Sequence, residues 1–490
     1  MRTANSTAPA PKRRLAHRVP VPVRQHWKLV AVLVAVVLGL IAALGQTSIR
    51  PYITGEVRFI KSEITDNIVG EVDLFDDSVS HSLTIDITDA EYRQMIEAFQ
   101  KDGEKKWVTA DITIDGALIN DAAVRLKGNS TLGGLRGHHA GPGGGGGPDG
   151  KGPMGAPPEG MALPGGMASA SAEDPTSLPL LISFDENADG RGYQGLTELS
   201  VRPGSPVLNE AMALSLTAAT GQPTQRYTYA TYTIAGDTAT RLLLEHPDDM
   251  YANSLFVSDG YLYKADANSR LTYAGDDQSA YADQFKQINA TDDGNLQPII
   301  NFVKWIDGAD QQEFDTHLSD WVDTAALAEY LATQNLLGNA DDMGGPGQNY
   351  YLWYDLDTEK FTVVSWDLNL AMNGGADTQP GTEVEMGLPG GDKLRMEPPP
   401  GAGGDRPNIE NPLKTRFLAS ESLMRQYHDV YWRLYDEMYG DDHAYALLDD
   451  IVSRVPVTDG LTQQSLDDAA NTMRTFISER IATLNAARSG

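Results

Sequence analysis

Cysteine is absent from the 490 residues of this chain. Without a thiol, the chain can form no disulfide, no thiolate metal site and no cysteine nucleophile. The sequence also contains neither a G-x-S-x-G nor an H-E-x-x-H motif, and its nine histidines are scattered. Those motifs are typical of serine hydrolases and zinc peptidases, so the sequence gives little support to a hydrolase.

Basic residues are scarce after the first 28 positions. Seven Lys and Arg stand in residues 1–28 without an acid, and the remaining 31 basic residues face 68 Asp and Glu, a net charge of −37. Because nucleic-acid binding depends on a basic surface, we expect no nucleic-acid partner. Such an acidic chain instead suits cation binding or solubility outside the cell.

An uncharged hydrophobic run of 17 residues occupies positions 29–45. This length is at the short end for a membrane-spanning helix. The basic tail of residues 1–28 before it predicts an N-terminus inside the cell and an extracytoplasmic C-terminal domain, joined by a tether at 46–71. A cleaved signal peptide, which would give a secreted protein, is the alternative, because Ala43-Leu44-Gly45 is a tolerable cleavage site.

Residues 72–490 show two kinds of hydrophobic periodicity. Alternating patterns predict strands at 82–87, 107–114, 227–234 and 240–245, and apolar spacings of three and four predict helices at 296–305, 313–321, 324–337 and 416–439. Two Gly-, Pro- and Met-rich stretches, at about 132–174 and 377–412, bury too little apolar area to offset their ordering entropy, and we predict them to be disordered inserts. The pattern predicts an α+β fold with a β-rich lobe at about 72–245 and a mostly helical lobe at about 246–490.

A predicted β-hairpin at 349–366 brings polar residues together. If its turn centres near Asp357 and Thr358, antiparallel pairing places Asn349 opposite Trp366 or Asp367. Asp341 and Asp342 reach the same place from the end of a helix. Hard oxygen ligands of this kind suit Mg²⁺, although by spacing alone helix caps and turns also explain these residues.

The order of these residues has a parallel in protein kinases, where one Asp accepts the substrate hydroxyl proton, an Asn binds one metal ion and a later Asp binds the other. The segment 338–371, GNADDMGGPGQNYYLWYDLDTEKFTVVSWDLNLA, resembles the signature region of the CotH kinase family, in which an acid precedes an NYYLY-like strand and a WDLD or WDLN strand end. Five further segments resemble elements of that family in the same order: RLKGNST (125–131), LNEAMAL (208–214), LLLE (242–245), LYKA (262–265) and TFISERIATL (475–484).

The resemblance implies a divergent, two-lobed protein-kinase-like fold, which in this chain would follow the one N-terminal transmembrane helix predicted at 29–45. It further implies an enzyme that binds ATP with Mg²⁺, or with Mn²⁺, and phosphorylates Ser on surface or coat proteins. Carried over to this sequence, Asp341 becomes the catalytic base, with Asp342 as its competitor. Asp367 becomes the principal metal ligand and Asn349 a supporting one.

The nucleotide-binding residues are less clear from the resemblance. Lys127, and with it Arg125, would meet the phosphates beside a Gly-containing loop. Many family members carry a Lys-rich strand after this loop, whereas residues 178–185 contain no basic residue. Lys264 or Arg202 would have to substitute. Glu245 would either pair with a Lys in the cleft or simply end a strand. Without a substitute, the alternative is a catalytically weak or inactive CotH-like surface module for binding or assembly.

Overall fold

The computed structural model describes Lys28 and residues 62–128, 131–135, 170–290, 294–385 and 411–489. Residues Phe59–Gly490 form one compact unit. The predicted membrane span at 29–45 lies outside the described residues, as do most of the tail, the tether and both inserts. None of the helices in the described part of the chain is long and apolar enough to cross a membrane.

The first half of the unit is built on a closed β-barrel. Its strands are β2 (His81–Asp86), β3 (Val108–Ile114), β4 (Ala117–Leu126), β5 (Leu180–Ser183), β7 (Glu198–Val201), β8 (Tyr227–Ile234) and β9 (Asp237–Glu245). They follow the order β2-β3-β4-β5-β7-β9-β8, and a parallel pairing of β8 with β2 closes the ring. Alternate side chains of β2 are buried, as the period-2 pattern predicts.

A second, antiparallel sheet lies among the helices of the second half. It consists of β10 (Gly260–Ala265), β11 (Phe285–Gln287), β12 (Tyr350–Asp355) and β13 (Phe361–Ser365), in the order β11-β10-β12-β13. The sequence predicted the β12–β13 hairpin but a mostly helical surrounding. That prediction missed the sheet, because β10 pairs with β12 across more than eighty residues of chain, and β11 joins the sheet only through β10.

The described helices are α1 (Asp89–Asp102), α2 (Leu208–Ala219), α3 (Asp249–Leu255), α4 (Gln297–Gly308), α5 (Gln311–Trp321), α6 (Thr324–Leu336), α7 (Pro412–Ala419), α8 (Glu421–Tyr439), α9 (His443–Arg454) and α10 (Gln463–Ser489). The single helix predicted at 416–439 is two helices, α7 and α8. They are separated at Ser420, whose hydroxyl caps α8 by accepting from the Leu423 amide at 3.4 Å.

Two predicted boundaries move because their residues pack against the fold. The end of the predicted tether contains β1 (Asp66–Ile68), which pairs in parallel with β6 (Arg191–Tyr193). At the edges of the first predicted insert, Leu132, Leu135 and Ala170 are buried in the core of the barrel. The ordered domain therefore begins before residue 72 and extends further into the Gly-rich stretch than predicted.

A fully buried guanidinium ties the C-terminal helix to the middle of the chain. Arg480 of α10 is 0% exposed and forms no ion pair with a carboxylate among the described residues. It donates to four backbone carbonyls, an amide oxygen and a hydroxyl, which belong to Asn335 (O and Oδ1), Leu336, Ala376, Thr378 and Tyr431. Arg480 thus fastens the end of α6 to the segment that follows β13.

Replacing this residue tests its structural role. Arg480→Met should lower the free energy of unfolding by about 3 kcal/mol, because it leaves several buried carbonyls without a donor. Urea unfolding measures the change. Arg474→Met, on the exposed face of the same helix where Arg474 pairs with Asp449, should cost less than about 1 kcal/mol. Equal losses in the two variants would contradict this role of Arg480.

Candidate functional site

The end of α6 directs the chain toward Asp341. Asp323 caps the start of α6 by accepting from the amides of Ala325 and Ala326, and the helix is buried along most of its length. Just beyond its end, Gly338 has a φ of 61°, and a Cβ there would lie 2.9 Å from the carbonyl oxygen of Gly374. Only glycine fits both conditions without strain. The turn that follows carries Asp341 and Asp342.

Asp341 and Asn349 are in direct contact. The Asn349 side-chain amide donates to the Asp341 carboxylate at 2.9 Å and to its backbone carbonyl at 3.0 Å, and the Gly347 amide donates to the other carboxylate oxygen at 2.5 Å. A Cβ at Gly347 would lie 2.6 Å from that carboxylate, so the loop approaches closely because it lacks side chains there. Burial raises the pKa of Asp341 to about 6, the hydrogen bond from Gly347 opposes that effect, and the charge of Asp367 adds to it.

Asp342 has a different environment from its neighbour. Its carboxylate accepts a hydrogen bond from Lys414 Nζ at 2.6 Å, and both side chains of this ion pair are largely buried. It also accepts from the Gly344 amide at 2.8 Å. Asp342 is therefore a partner of α7, whereas Asp341 is bound to Asn349.

The hairpin register places Asn349 and Trp366 opposite each other, as predicted. The last paired residues are Tyr350 and Ser365, so the next position outward joins Asn349 with Trp366. Asp367 follows directly and has a φ of 53°, a conformation that Asp tolerates better than most residues. The sequence prediction for this end of the hairpin is confirmed.

Arg202 joins Asp367 to α2, the helix between β7 and β8. Its guanidinium donates to both carboxylate oxygens of Glu210, at 2.8 Å and 2.5 Å, and also to Asp367. Glu210 is 0% exposed and lies on α2. Burial acts to lower the pKa of Arg202, but the two carboxylates raise it above its ordinary value. The guanidinium therefore stays charged and bridges two acids.

Helix α2 also fixes the chain after Asp367. The side-chain amide of Asn209 donates to the carbonyls of Asn369 at 2.7 Å and Ala371 at 3.1 Å. Neighbouring residues of one helix thus hold Arg202 and the turn that begins at Asp367. This arrangement determines where the Asp367 carboxylate points.

Two further cations lie beside Asp367. The ammonium groups of Lys127 and Lys264 lie 5.2 Å and 5.3 Å from the ring centroid of Trp366. Burial lowers the pKa of Lys127 to about 7, with Arg202 adding to the effect and Asp367 opposing it. Burial also lowers the pKa of Lys264, and Asp367 opposes that shift. Lys127, Lys264 and Arg202, the three candidate substitutes for the missing lysine, therefore all interact electrostatically with Asp367, and Arg202 bonds to it directly.

The other two predicted nucleotide-binding residues have different partners. Arg125 lies 4.6 Å over the ring of Trp107, on the same face of its strand as Lys127. Glu245 pairs with Arg226 at 2.7 Å and accepts from the Arg226 backbone amide as well. Of the two interpretations of Glu245, pairing with a lysine of the cleft is therefore wrong, whereas Glu245 does end strand β9. Glu210 pairs instead with a cation of the site, Arg202.

The donor set fits a hard cation that is completed by a ligand. Both described hydrogen bonds of the Asn349 side chain use its NH₂ group, so its amide oxygen has no partner among the described residues. Asp367 bonds to Arg202 through one oxygen. No group of three or more His, Asp or Glu in the described residues is arranged to hold a metal ion by itself. Mg²⁺ is commonly bound in this way, through one or two carboxylates together with substrate phosphates.

The sequence contains a recognisable pattern for two groups of site residues that the sequence analysis missed. Glu198 and Ser200 alternate with apolar residues in the strand that leads to the predicted Arg202, so the three side chains lie on one face of β7 and its extension, next to Lys127. Glu210 is an acid inside the otherwise apolar stretch LNEAMALSLTAA, and a buried carboxylate in such a helix requires a cationic partner. Lys414 had no signal, because 72 residues separate it from Asp342.

The Asp342–Lys414 pair gives a test of the separate roles of the two aspartates. Lys414→Met should reduce stability by about 3 kcal/mol, because it leaves the Asp342 carboxylate buried without its cation. The double variant Lys414→Met/Asp342→Asn should recover most of that loss, because it removes the unpaired charge. Thermal and urea unfolding report both changes. A double variant that is no more stable than Lys414→Met would contradict this pairing.

Comparison with known proteins identifies the family of the chain. A search of curated proteins finds no match to the chain. The sequence model of the family described as "CotH kinase protein" matches residues 204–484, which is more than half of the chain and includes Glu210, Lys264, Asp341, Asn349 and Asp367. This is the family that the segment 338–371 resembles. The α+β chain therefore belongs to the CotH kinase family.

Proposed function

We propose that this protein is an ATP- and Mg²⁺-dependent protein kinase that transfers phosphate to serine on surface or coat proteins. The observation that carries the proposal is the meeting of two sets of groups. Asp341 and Asn349 form one hydrogen-bonded pair near Asp367. Arg202 bonds to Asp367, and Lys127 and Lys264 lie beside Trp366 and interact electrostatically with Asp367. Phosphoryl transfer requires acids that bind the metal ion and accept a proton, together with cations that contact the phosphates.

Each side chain has a role in this proposal. Asp367 and the amide oxygen of Asn349 would hold Mg²⁺, with Mn²⁺ as a substitute, and the ion would supply positive charge to neutralise the phosphates. Asp341 receives the proton of the acceptor hydroxyl. Its orientation is fixed by Asn349 and Gly347. Asp342 is the weaker candidate for the base, because Lys414 engages its carboxylate.

The cations have separate tasks as well. Lys127 and Lys264 have no carboxylate within ion-pair distance among the described residues, so both are available to phosphate oxygens. Arg202 is held by Glu210 in the way that a lysine is held by a helix glutamate in protein kinases. Two hydrophobic cores, one in the barrel and one among the helices, support a two-lobed, kinase-like arrangement around these residues. Arg125, beside Lys127, contributes positive charge without direct contact.

The cellular setting is part of the same proposal. The basic tail at 1–28 and the hydrophobic run at 29–45 support a single-pass cell-membrane anchor with the kinase domain outside the cytoplasm. Cleavage of that run would give a secreted enzyme. The protein substrate would lie on the cell surface.

One observation favours a second candidate, a weak or inactive CotH-like module for surface binding or assembly. Arg202 already contacts the carboxylate that the metal ion needs. If this contact persists in the presence of nucleotide, the site holds no metal ion and the protein acts only by binding.

Phosphotransfer from γ-labelled ATP decides between the two candidates. The full-length chain should label itself or a Ser-rich acceptor in the presence of Mg²⁺ or Mn²⁺. Asp367→Asn and Asp341→Asn should each reduce transfer at least about a hundredfold, because they remove the metal ligand and the base. Asp342→Asn should retain a measurable fraction of the activity.

A matched control lies on the same hairpin. Asp357 is exposed in the turn between β12 and β13, so Asp357→Asn makes the same chemical change far from the site and should leave transfer unchanged. Label transfer that survives Asp367→Asn would sink the kinase proposal. Absence of transfer from the wild type, together with no stabilisation by ATP, would favour the binding module.

A further inference from the structure

Lys127 is surrounded by charges that come from every element packed against it. The cations are Arg125 on its own strand, Arg202 after β7 and Lys264 on β10, and the acids are Glu198 on β7, Glu210 on α2 and Asp367 after β13. No acid among the described residues lies within ion-pair distance of Lys127 itself. A buried ammonium group beside three other cations needs indirect support to remain charged.

A chain of hydrogen bonds leads from Lys127 to Glu198. The Lys127 ammonium lies 2.5 Å from Ser200 Oγ and 3.2 Å from His246 Nδ1. An ammonium group can only donate, so Nδ1 accepts and the ring proton of His246 stays on Nε2. That nitrogen faces Glu198 Oε2 at 3.4 Å. The geometry therefore defines a neutral His246 that accepts from Lys127 and points its own proton toward Glu198.

The electrostatics of these three groups agree with the hydrogen-bond directions. Burial lowers the pKa of His246 well below its ordinary value, and the charge of Lys127 adds to the effect. Burial and the nearby Asp248 raise the pKa of Glu198 to about 7, while Arg125 and Lys127 oppose the shift. Glu198 and Lys127 therefore change charge over the same pH range.

We propose that Glu198 and His246 are positioning residues that hold the Lys127 ammonium in place and support its positive charge for contact with a nucleotide phosphate. This inference rests on the proposed function, because it assigns Lys127 to the nucleotide. The acid and the imidazole touch no phosphate themselves. They act through Lys127.

The direction of the pH effect follows from the charges. Above about pH 7 Glu198 is ionised, and its negative charge favours the ammonium form of Lys127. In Glu198→Gln that support is lost, so Lys127 loses its proton at a lower pH and binds phosphate less well in alkaline solution. At about pH 6 Glu198 is protonated in the wild type and Lys127 is charged in both proteins. The substitution should then make little difference.

Calorimetric titration of the full-length protein with MgATP measures this difference. At about pH 8, Glu198→Gln should bind MgATP about five- to tenfold more weakly than the wild type, and at about pH 6 the two should agree within about twofold. Glu97→Gln is the matched control. It makes the same chemical change at an exposed position of α1, away from Lys127 and Glu198. Its affinity should follow the wild type at both pH values.

A second measurement follows Lys127 without nucleotide. The rate at which acetic anhydride acylates Lys127, read by mass spectrometry across pH, gives the midpoint of its titration. Glu198→Gln should move that midpoint to lower pH. A wild type that binds no MgATP while the midpoint still shifts would overturn the nucleotide role and the proposed function, but not the coupling of the two residues.

Two results would overturn the inference itself. One is a Glu198→Gln variant that matches the wild type in both measurements. The other is an equal loss of MgATP affinity at both pH values with no change in the midpoint, which would indicate that Glu198 only stabilises the fold.

Discussion

The site depends on one guanidinium that is shared between two acids. Arg202 extends from the barrel, Glu210 lies on α2 and Asp367 follows the hairpin, and the guanidinium bonds to both carboxylates. A buried acid such as Glu210 would be costly without a cation, and Arg202 would be costly without an acid. The pair therefore requires the barrel and α2 to meet at this point. The hydrogen bond from Arg202 also fixes the position of Asp367.

Other cations lie near this constraint. The strand at 178–185 contributes no basic residue, yet Lys127, just after β4, and Lys264 on β10 lie beside Trp366 and interact electrostatically with Asp367. The cost is burial of several like charges, which lowers the pKa of both lysines. Phosphate would relieve that repulsion, whereas a protein without an anionic ligand has no evident reason to bury these groups together.

The features that depend on a local sequence pattern were predicted correctly. The strands of the hairpin, the centre of its turn and the alignment of Asn349 with Trp366 follow from alternation and turn chemistry over 18 residues. Contacts between distant segments could not be predicted in this way. The partner of Glu245 is Arg226 and that of Asp342 is Lys414, because these pairings depend on how sheets and helices pack. The Glu198–Ser200–Arg202 alternation showed a polar strand face but not what it would meet.

A crystal structure with Mn²⁺ and a non-hydrolysable ATP analogue tests the central claim most directly, because Mn²⁺ takes the oxygen ligands of Mg²⁺ and is visible by anomalous scattering. The account predicts an anomalous peak at about 2.2 Å from an Asp367 oxygen and the Asn349 amide oxygen, with phosphate oxygens near Lys127 and Lys264. It also predicts that Arg202 stays on Glu210 and gives up Asp367. Nucleotide and metal bound elsewhere, with the contact between Arg202 and Asp367 intact, would contradict it.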